Sequence, residues 1–364
     1  MGLGALGVAL RGRFGACRYH GSGRAVGRRD RGGGEGCIGW RKRGGRWRLV
    51  LVCVARGAGL SGLKYDILAL DLDGTLLGPD GLVSEANREA VDRARTAGVE
   101  VVICTGRGFK ESGEAVRAIE AWRPASGRGV APVVTSGGAM IVDAASGRTM
   151  HRWAVEEGIV RRLCGVFAVL GRAPLLLKDA DAAGFDYLVV ESGPIEAPTR
   201  WWFDTMPVEV RTVDSIEDDE HPEHTVRVGF AADRATMREL AAEVRGAFDG
   251  EVLIHSFAAV TGGANGLKGA GVKTDEVHLL EVFDASVSKW TAVHRLALEQ
   301  GVPRERVAAI GDEINDLALV EGAGLGIAMG NAIGPVKEAA DRETASHADD
   351  GVALAIERIL GGEW

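Results

Sequence analysis

The chain has 364 residues, 46% hydrophobic, 26% charged and 5% aromatic, a globular composition long enough for two separate cores. No apolar run approaches the roughly 20 residues of a membrane-spanning helix, which excludes a helical membrane protein. The formal net charge of −8 is unevenly spread: residues 1–62 carry 13 Lys and Arg against 2 Asp and Glu, and the remaining 302 carry 30 against 49. An acidic globular part argues against nucleic acid as a partner. The five cysteines (Cys17, Cys37, Cys53, Cys104 and Cys164) form no CxxC pair. Their spacing excludes a disulfide scaffold or zinc ribbon and fits a reducing, cytoplasmic compartment.

Residues 1–62 hold 18 of the 53 glycines. Their one apolar run, 49–55, is too short to span a bilayer and misplaced for a secretory signal. Only two serines precede residue 63, which is few for a transit peptide. After Met1 the next methionine is Met140, and Arg outnumbers Lys 35 to 8, as coding from a GC-rich genome would give. The stretch reads as an upstream extension outside the mature protein, or as a disordered basic arm. Residues 57–62 (GAGLSG) match the GxGxxG dinucleotide pattern. That motif must follow a strand and open a helix, and here it precedes a strand.

From residue 63 the pattern alternates. The run 65–70 (YDILAL) predicts a strand, followed by the turn-rich DLDGTLLGPDG. Ser84 N-caps a predicted helix with Ala86, Ala90, Val91, Ala94 and Ala97 on one face, stopped at Gly98. A strand at 100–104, a helix at 108–122 and a strand at 130–135 follow. Strands alternating with helices imply βαβ units in a parallel sheet, with chemistry at the C-terminal strand ends. From Met140 the rhythm changes to strands at 187–191, 208–213, 226–231, 252–257 and 277–283, with helices at 156–171 and 234–248. That mixture predicts an antiparallel sheet with helices on one face. The glycine-rich stretch 262–271 reads as a loop or hinge, and its GAGVKT end lacks the GK[ST] of a Walker loop. Alternation resumes with a helix at 288–300, a strand at 307–310, a helix at 313–321 and a strand at 325–329. The predicted architecture is a doubly wound α/β core (63–139 and 285–364) interrupted by an α+β cap (140–284).

Asp71 and Asp73, in DLDGT, leave the end of the first strand. An i, i+2 pair there reaches a ligand above the sheet edge, while Gly74 lets the chain loop back. Asp312 and Asp316, in GDEIND, also follow a strand and stand one helical turn apart. Such a convergence of carboxylates needs a cation, and an all-oxygen donor set without His or Cys points to Mg²⁺. Thr105 and Gly106, in CTGR, offer a hydroxyl and backbone N–H groups to phosphate oxygens. Lys289 opens a helix 23 residues before Asp312. A cation in a first turn opposes the helix dipole, so its placement needs a reason, which an anion site would supply.

With LDLDGTLL, VVICTGR, Lys289 in SKWTAVHRLA, IGDEINDLALV and AMGNAIGPVKEAAD in this order, the chain resembles the haloacid dehalogenase-like superfamily, most closely its Cof-type phosphatase branch. The resemblance implies a Rossmann-like core with an inserted cap and a Mg²⁺-dependent phosphatase of small phosphorylated metabolites. It implies Asp71 as nucleophile, forming an aspartyl-phosphate, and Asp73 as general acid/base that lends its carbonyl to the metal. It further implies Thr105 and Lys289 as phosphate ligands and Asp312 and Asp316 as holders of the metal and its waters; Asn315 and Asn331 stand in the same motifs. Metal contact keeps Asp71 ionised, while Asp73 can protonate the leaving alkoxide and then take a proton from water. Three positions depart from the family: Gly137 where an asparagine is usual, Trp290 after the motif lysine, and a long stretch at 262–276. All lie near the cap junction and bear on substrate identity. A sugar phosphomutase, a mannosyl-phosphoglycerate-type phosphatase and a non-catalytic metabolite-binding protein are the alternatives on this fold. Intact Asp71 and Asp73 weigh against the last.

Overall fold

The computed structural model describes residues 62–123, 130–258 and 277–364, together with the strands Gly36–Arg43 and Arg46–Cys53. Those two strands pair antiparallel, an element the sequence reading did not place. Residues 57–61 of the GxGxxG match and the glycine-rich stretch 262–271 lie outside the described residues.

The apolar runs of the core become short, fully buried parallel strands, as expected of a sheet covered on both faces. Ile67–Leu70 lies at the centre, with Glu100–Ile103 on one side and Val307–Gly311 on the other. Leu325–Ala328 and Arg342–Glu343 continue outward from Val307–Gly311, also in parallel. Alternation splits the central strand between two cores. Leu68 and Leu70 join the cluster that includes Ala90 and Val91 of the helix Glu85–Thr96 and Ile356 of the helix Gly351–Leu360. Ile67 and Ala69 join Val293 and Leu296 of the helix Lys289–Gln300. Ser84 caps its helix as predicted, accepting from the Asn87 amide at 3.1 Å.

The register decides where the site sits. Leu70 pairs with Ile103 on one side and Ile310 on the other. Asp71, Thr105 and Asp312 therefore leave three neighbouring strands at one level, at the point where the strand order reverses.

A second, six-stranded sheet is built from residues between the core strands, in the order Val210–Val213, Tyr187–Val190, Leu175–Lys178, Thr225–Asp233, Val277–Asp284, Val252–Ala258. Leu176, Leu188, Val228, Phe230 and Leu280 face the helices Glu157–Val169 and Arg234–Ala247. This sheet is mixed, not antiparallel throughout: Val210–Val213 runs parallel to Tyr187–Val190 because the helix Ala197–Thr205 crosses over between them. Neither that helix nor the strand Leu175–Lys178 was foreseen. Phe203 of the crossover helix packs with Leu177 and Tyr187, so helices lie against both faces of the sheet. The hairpin Met140–Asp143 and Thr149–Arg152 pairs with Pro132–Thr135 and stays out of the six-stranded sheet. The helix expected over 108–122 is a 3₁₀ turn, Lys110–Ser112, and a short helix, Gly113–Ala118. Glycines at 108 and 113 disfavour one continuous helix there.

Gly138, in the turn after the strand Pro132–Thr135, packs against the start of the helix that carries Lys289. It sits at φ +103°, and a β-carbon there would lie 2.1 Å from the Ser288 carbonyl oxygen. Gly138→Ala should cost at least about 2 kcal/mol in urea unfolding followed by circular dichroism, through backbone strain and displacement of that helix start. An unchanged midpoint would show that the turn relaxes freely.

Candidate active site

The loop after the first strand is built around Asp312. Gly74 adopts φ +80°, and a β-carbon on it would lie 2.2 Å from Asp312 Oδ2, so only glycine admits the carboxylate so close. Thr75 Oγ1 donates to Asp312 Oδ1 at 3.0 Å. Asn331 Nδ2 donates to Asp312 Oδ2 at 3.2 Å and to the Gly74 carbonyl at 2.8 Å, while its Oδ1 accepts from the His347 amide at 2.9 Å. Asn331 thus positions the loop and the carboxylate together.

Lys289 is the first residue of its helix, and its side chain is wholly buried. Its Nζ donates to Asp71 Oδ1 at 2.5 Å and to Asp316 Oδ1 at 2.6 Å. Those carboxylates supply the reason that its unfavourable dipole position needs. The other oxygen of Asp316 accepts the amides of Asp312 and Glu313, at 3.0 and 3.2 Å. Asp316 therefore orders its own loop as well as Lys289, which the i, i+4 spacing did not reveal. The expected helix start is a 3₁₀ turn, Ile314–Asp316, before the helix Leu317–Gly322.

Burial dominates the electrostatics. Desolvation, then the charge of Asp316, pushes Asp71 up to about 7 despite Lys289. Desolvation, then Asp71 and Asp316, pushes Asp312 up to about 9. Burial also opposes the Lys289 charge, but Asp316 and Asp71 outweigh it and hold the ammonium above the ordinary lysine range. Three carboxylates thus face one ammonium. Asp71, Asp312 and Asp316 each offer an oxygen, and these atoms all lie within 4.8 Å of one another. The hard, all-oxygen donors and their excess negative charge fit a divalent cation of the Mg²⁺ type.

The Asp73 carboxylate stays out of this group. The Arg107 guanidinium forks onto it, with Nε donating to Oδ2 at 2.8 Å. Thr105 is fully buried; its amide donates to the Val134 carbonyl at 2.9 Å, and its hydroxyl accepts from the Arg107 amide at 3.1 Å. Two of the backbone N–H groups expected to face phosphate are therefore spent, which leaves the Thr105 hydroxyl and the Gly106 amide. The Asn315 amide lies against Gly106, and its Oδ1 is buried without a hydrogen-bond partner among the described residues.

The inserted sheet grips the segment 106–111. Arg227 Nη1 donates to the Gly106 carbonyl at 2.8 Å, and its Nη2 donates to the Tyr187 hydroxyl at 3.1 Å. Tyr187 in turn donates to Glu111 Oε1 at 2.6 Å, where Trp202 Nε1 also donates at 2.7 Å. Arg227 is ion-paired with buried Glu281, yet Arg227 Nε and Glu281 Oε2 lack hydrogen-bond partners among the described residues. Sequence reasoning missed Glu111, Tyr187, Trp202, Arg227 and Glu281. A signal existed for two of them: Arg227 and Glu281 are lone charges inside the apolar strands TVRVGF and VHLLEVF. A cavity of about 410 Å³ lies between the sheets, with Asp71, Asp73, Arg107 and Asn315 on the core side and Trp201, Trp202, Phe203, Arg227, Phe257 and Glu281 on the other.

A family model for haloacid dehalogenase-like hydrolases matches residues 68–356. The chain belongs to that family. It is 28% identical over 301 residues to a 5-amino-6-(5-phospho-D-ribitylamino)uracil phosphatase of Bacillus subtilis (strain 168), covering 82% of this chain and 98% of the relative. A haloacid dehalogenase-like hydrolase from Bacteroides thetaiotaomicron superposes with a TM-score of 0.64 at 24% identity, over 81% of this chain and 100% of that one. A subclass IIB sugar phosphatase superposes with a TM-score of 0.62 at 19% identity, over 80% and 98%. The parallel core with an added sheet domain is thus the fold of this hydrolase family. No helix among the described residues is long and apolar enough to cross a membrane.

The raised carboxylates set a pH dependence. Asp71 and Asp312 hold their protons more tightly folded (to about 7 and about 9) than unfolded, near 3.8. Their contribution to stability is therefore full below pH 3.8 and is lost as pH rises through the folded values. Metal-free protein in EDTA should lose thermal stability between about pH 4 and pH 9 on this account. The gain in Tm on adding Mg²⁺ should grow across the same range, because protons compete for the same oxygens. A Mg²⁺ gain that is flat or shrinking with pH would place the cation elsewhere.

Proposed function

We propose that this chain is a Mg²⁺-dependent phosphatase that hydrolyses small phosphorylated metabolites through an aspartyl-phosphate on Asp71. One observation carries the reading: Asp71 is fixed at the sheet edge against a buried ammonium and lines a half-open cavity large enough for a metabolite. Family membership and relatives named as phosphatases support the reaction class. The Asp71 carboxylate attacks phosphorus in line, a new P–O bond forms, and the ester bond to the leaving oxygen breaks. Asp73 gives its proton to that alkoxide, then takes one from the water that attacks the phosphoenzyme and frees Asp71. In the structure Arg107 holds Asp73, so Asp73 must exchange that contact for the leaving oxygen. Lys289, Thr105 and the Gly106 amide hold the phosphoryl oxygens. A divalent cation held by Asp71, Asp312, Asp316 and the Asp73 carbonyl would neutralise charge gathering on those oxygens. The six-stranded sheet with its helices, which begins after the hairpin 140–152 and ends at Asp284, serves as a cap that excludes water and contacts the leaving group.

The cavity walls favour a substrate with a flat ring beyond its phosphorylated chain. Trp201, Trp202, Phe203 and Phe257 line the side opposite the nucleophile, with the charged residues Arg227 and Glu281 beside them. The Bacillus relative, by its name, acts on a compound of that kind, a uracil with a phosphoribitylamino chain.

Asp71→Asn should lower turnover at least about 10³-fold, as when a covalent nucleophile is removed, while the fold persists. Retention of a tenth of the activity would point to another nucleophile. Trp201→Ala should lower kcat/KM for riboflavin 5′-phosphate about two- to tenfold, the worth of one aromatic contact, and leave glucose 6-phosphate unaffected. Equal losses on both substrates would remove the case for a ring-bearing substrate.

A further inference from the structure

The turn that leads into the strand Thr225–Asp233 lies outside the cavity, yet it gathers two imidazoles and a carboxylate. We propose that His221, Glu223 and His224 form a second metal site, for a zinc-type transition-metal ion. One donor atom from each of the three lies within 4.8 Å of the other two. An ion bonded at about 2.0–2.2 Å to each would close that span with small side-chain rotations.

Local geometry explains the convergence. Residues 222–224 form a single 3₁₀ turn with His221 at its N-cap and Pro222 as its first residue. With three residues per turn, side chains at i and i+3 eclipse. The His221 and His224 rings accordingly stack, with centroids 5.8 Å apart and planes at 23°. His224 Nε2 faces Glu223 Oε1 at 3.3 Å. Its Nδ1 is buried and has no hydrogen-bond partner among the described residues. No hydrogen bond to another side chain or to backbone among the described residues therefore fixes which ring nitrogen of His224 carries the proton.

The turn is braced from beneath. Lys178, its side chain fully buried, donates through Nζ to Asp219 Oδ2 at 2.5 Å, to Thr225 Oγ1 at 2.7 Å and to the His221 carbonyl at 3.1 Å. Asp219 Oδ1 accepts the His221 amide at 3.0 Å, and the Asp179 amide donates to the His224 carbonyl at 2.9 Å. Both imidazoles therefore stand on fixed backbone, which is what a ligand set requires. Asp219 balances the Lys178 charge, and exposed Glu217, Asp218 and Glu220 add negative potential. Two imidazole nitrogens and one carboxylate suit Zn²⁺, Co²⁺ or Ni²⁺ and suit Mg²⁺ poorly. The exposed Glu223 leaves room for water at the remaining position. Bound there, the ion would staple the turn to the strand that carries Arg227 into the cavity.

The test uses the untagged full chain in excess Mg²⁺, titrated with Co²⁺ and, separately, with Zn²⁺. The expected result is one equivalent of Co²⁺ with the strong visible bands of four- or five-coordinate cobalt, and a Tm raised by Zn²⁺. His221→Gln and His224→Gln should each weaken binding at least about tenfold, the lower end of what loss of second-shell support alone costs, and abolish the Tm gain. If either variant fails to fold, Glu223→Gln, at an exposed position, reads out the same loss. Absence of the cobalt bands in the unaltered chain, or unchanged binding in the variants, would overturn the site. So would a thiolate-to-cobalt charge-transfer band, which would put the ion on cysteine.

Discussion

The Lys289 ammonium, buried between the carboxylates of Asp71 and Asp316, is the interaction on which the rest of the centre depends. A buried ion pair is a poor source of net stability, because taking the charges out of water costs about as much as their attraction returns. Here the balance is worse than even, since Asp312 adds a third carboxylate and the pKa values of Asp71 and Asp312 rise in response. What the arrangement supplies is preorganisation. The ammonium and the carboxylates are already desolvated and fixed relative to one another, so little reorganisation remains when a charged ligand meets them.

Holding that arrangement falls to glycines packed directly against the residues that carry the charges. Gly74 admits Asp312, Gly311 admits Asp316, and Gly138 admits the start of the Lys289 helix, each at a separation where a β-carbon would collide. Thr75 and Asn331 then orient Asp312 from two sides. The same logic governs the segment 106–111, which passes between Asp73 and the inserted sheet. Its carbonyl at Gly106 meets Arg227, and its Glu111 meets Tyr187 and Trp202, while Arg107 reaches back to Asp73. The inserted sheet and Asp73 are thus two hydrogen-bonded steps apart, and the position of the sheet bears on the geometry of Asp73.

Much of the core was legible because its signals are local. Four apolar runs of strand length, a serine cap three residues ahead of the amide it accepts from, and Asp-rich turns at strand ends are each short-range patterns. The inserted domain was read less well. Its parallel pair depends on a crossover helix rich in tryptophan, which carries no strong helical pattern, and the hairpin at 140–152 has strands that would suit either sheet. Register and partner choice there are set by neighbours far along the chain.

The sequence by itself determined the α/β alternation, the family, and the identity of the acids, the threonine and the lysine at the strand ends, because each is a residue type at a fixed short spacing. Tertiary structure alone decided how those residues are used. Lys289 meets Asp71 across 218 residues of chain, and Thr75 meets Asp312 across 237. Arg227, Tyr187 and Glu111 form one network although each sits in a different element, and Asp316 turns one oxygen to its own loop. Those contacts follow from sheet order and from the seating of one sheet over the other, which no local spacing encodes.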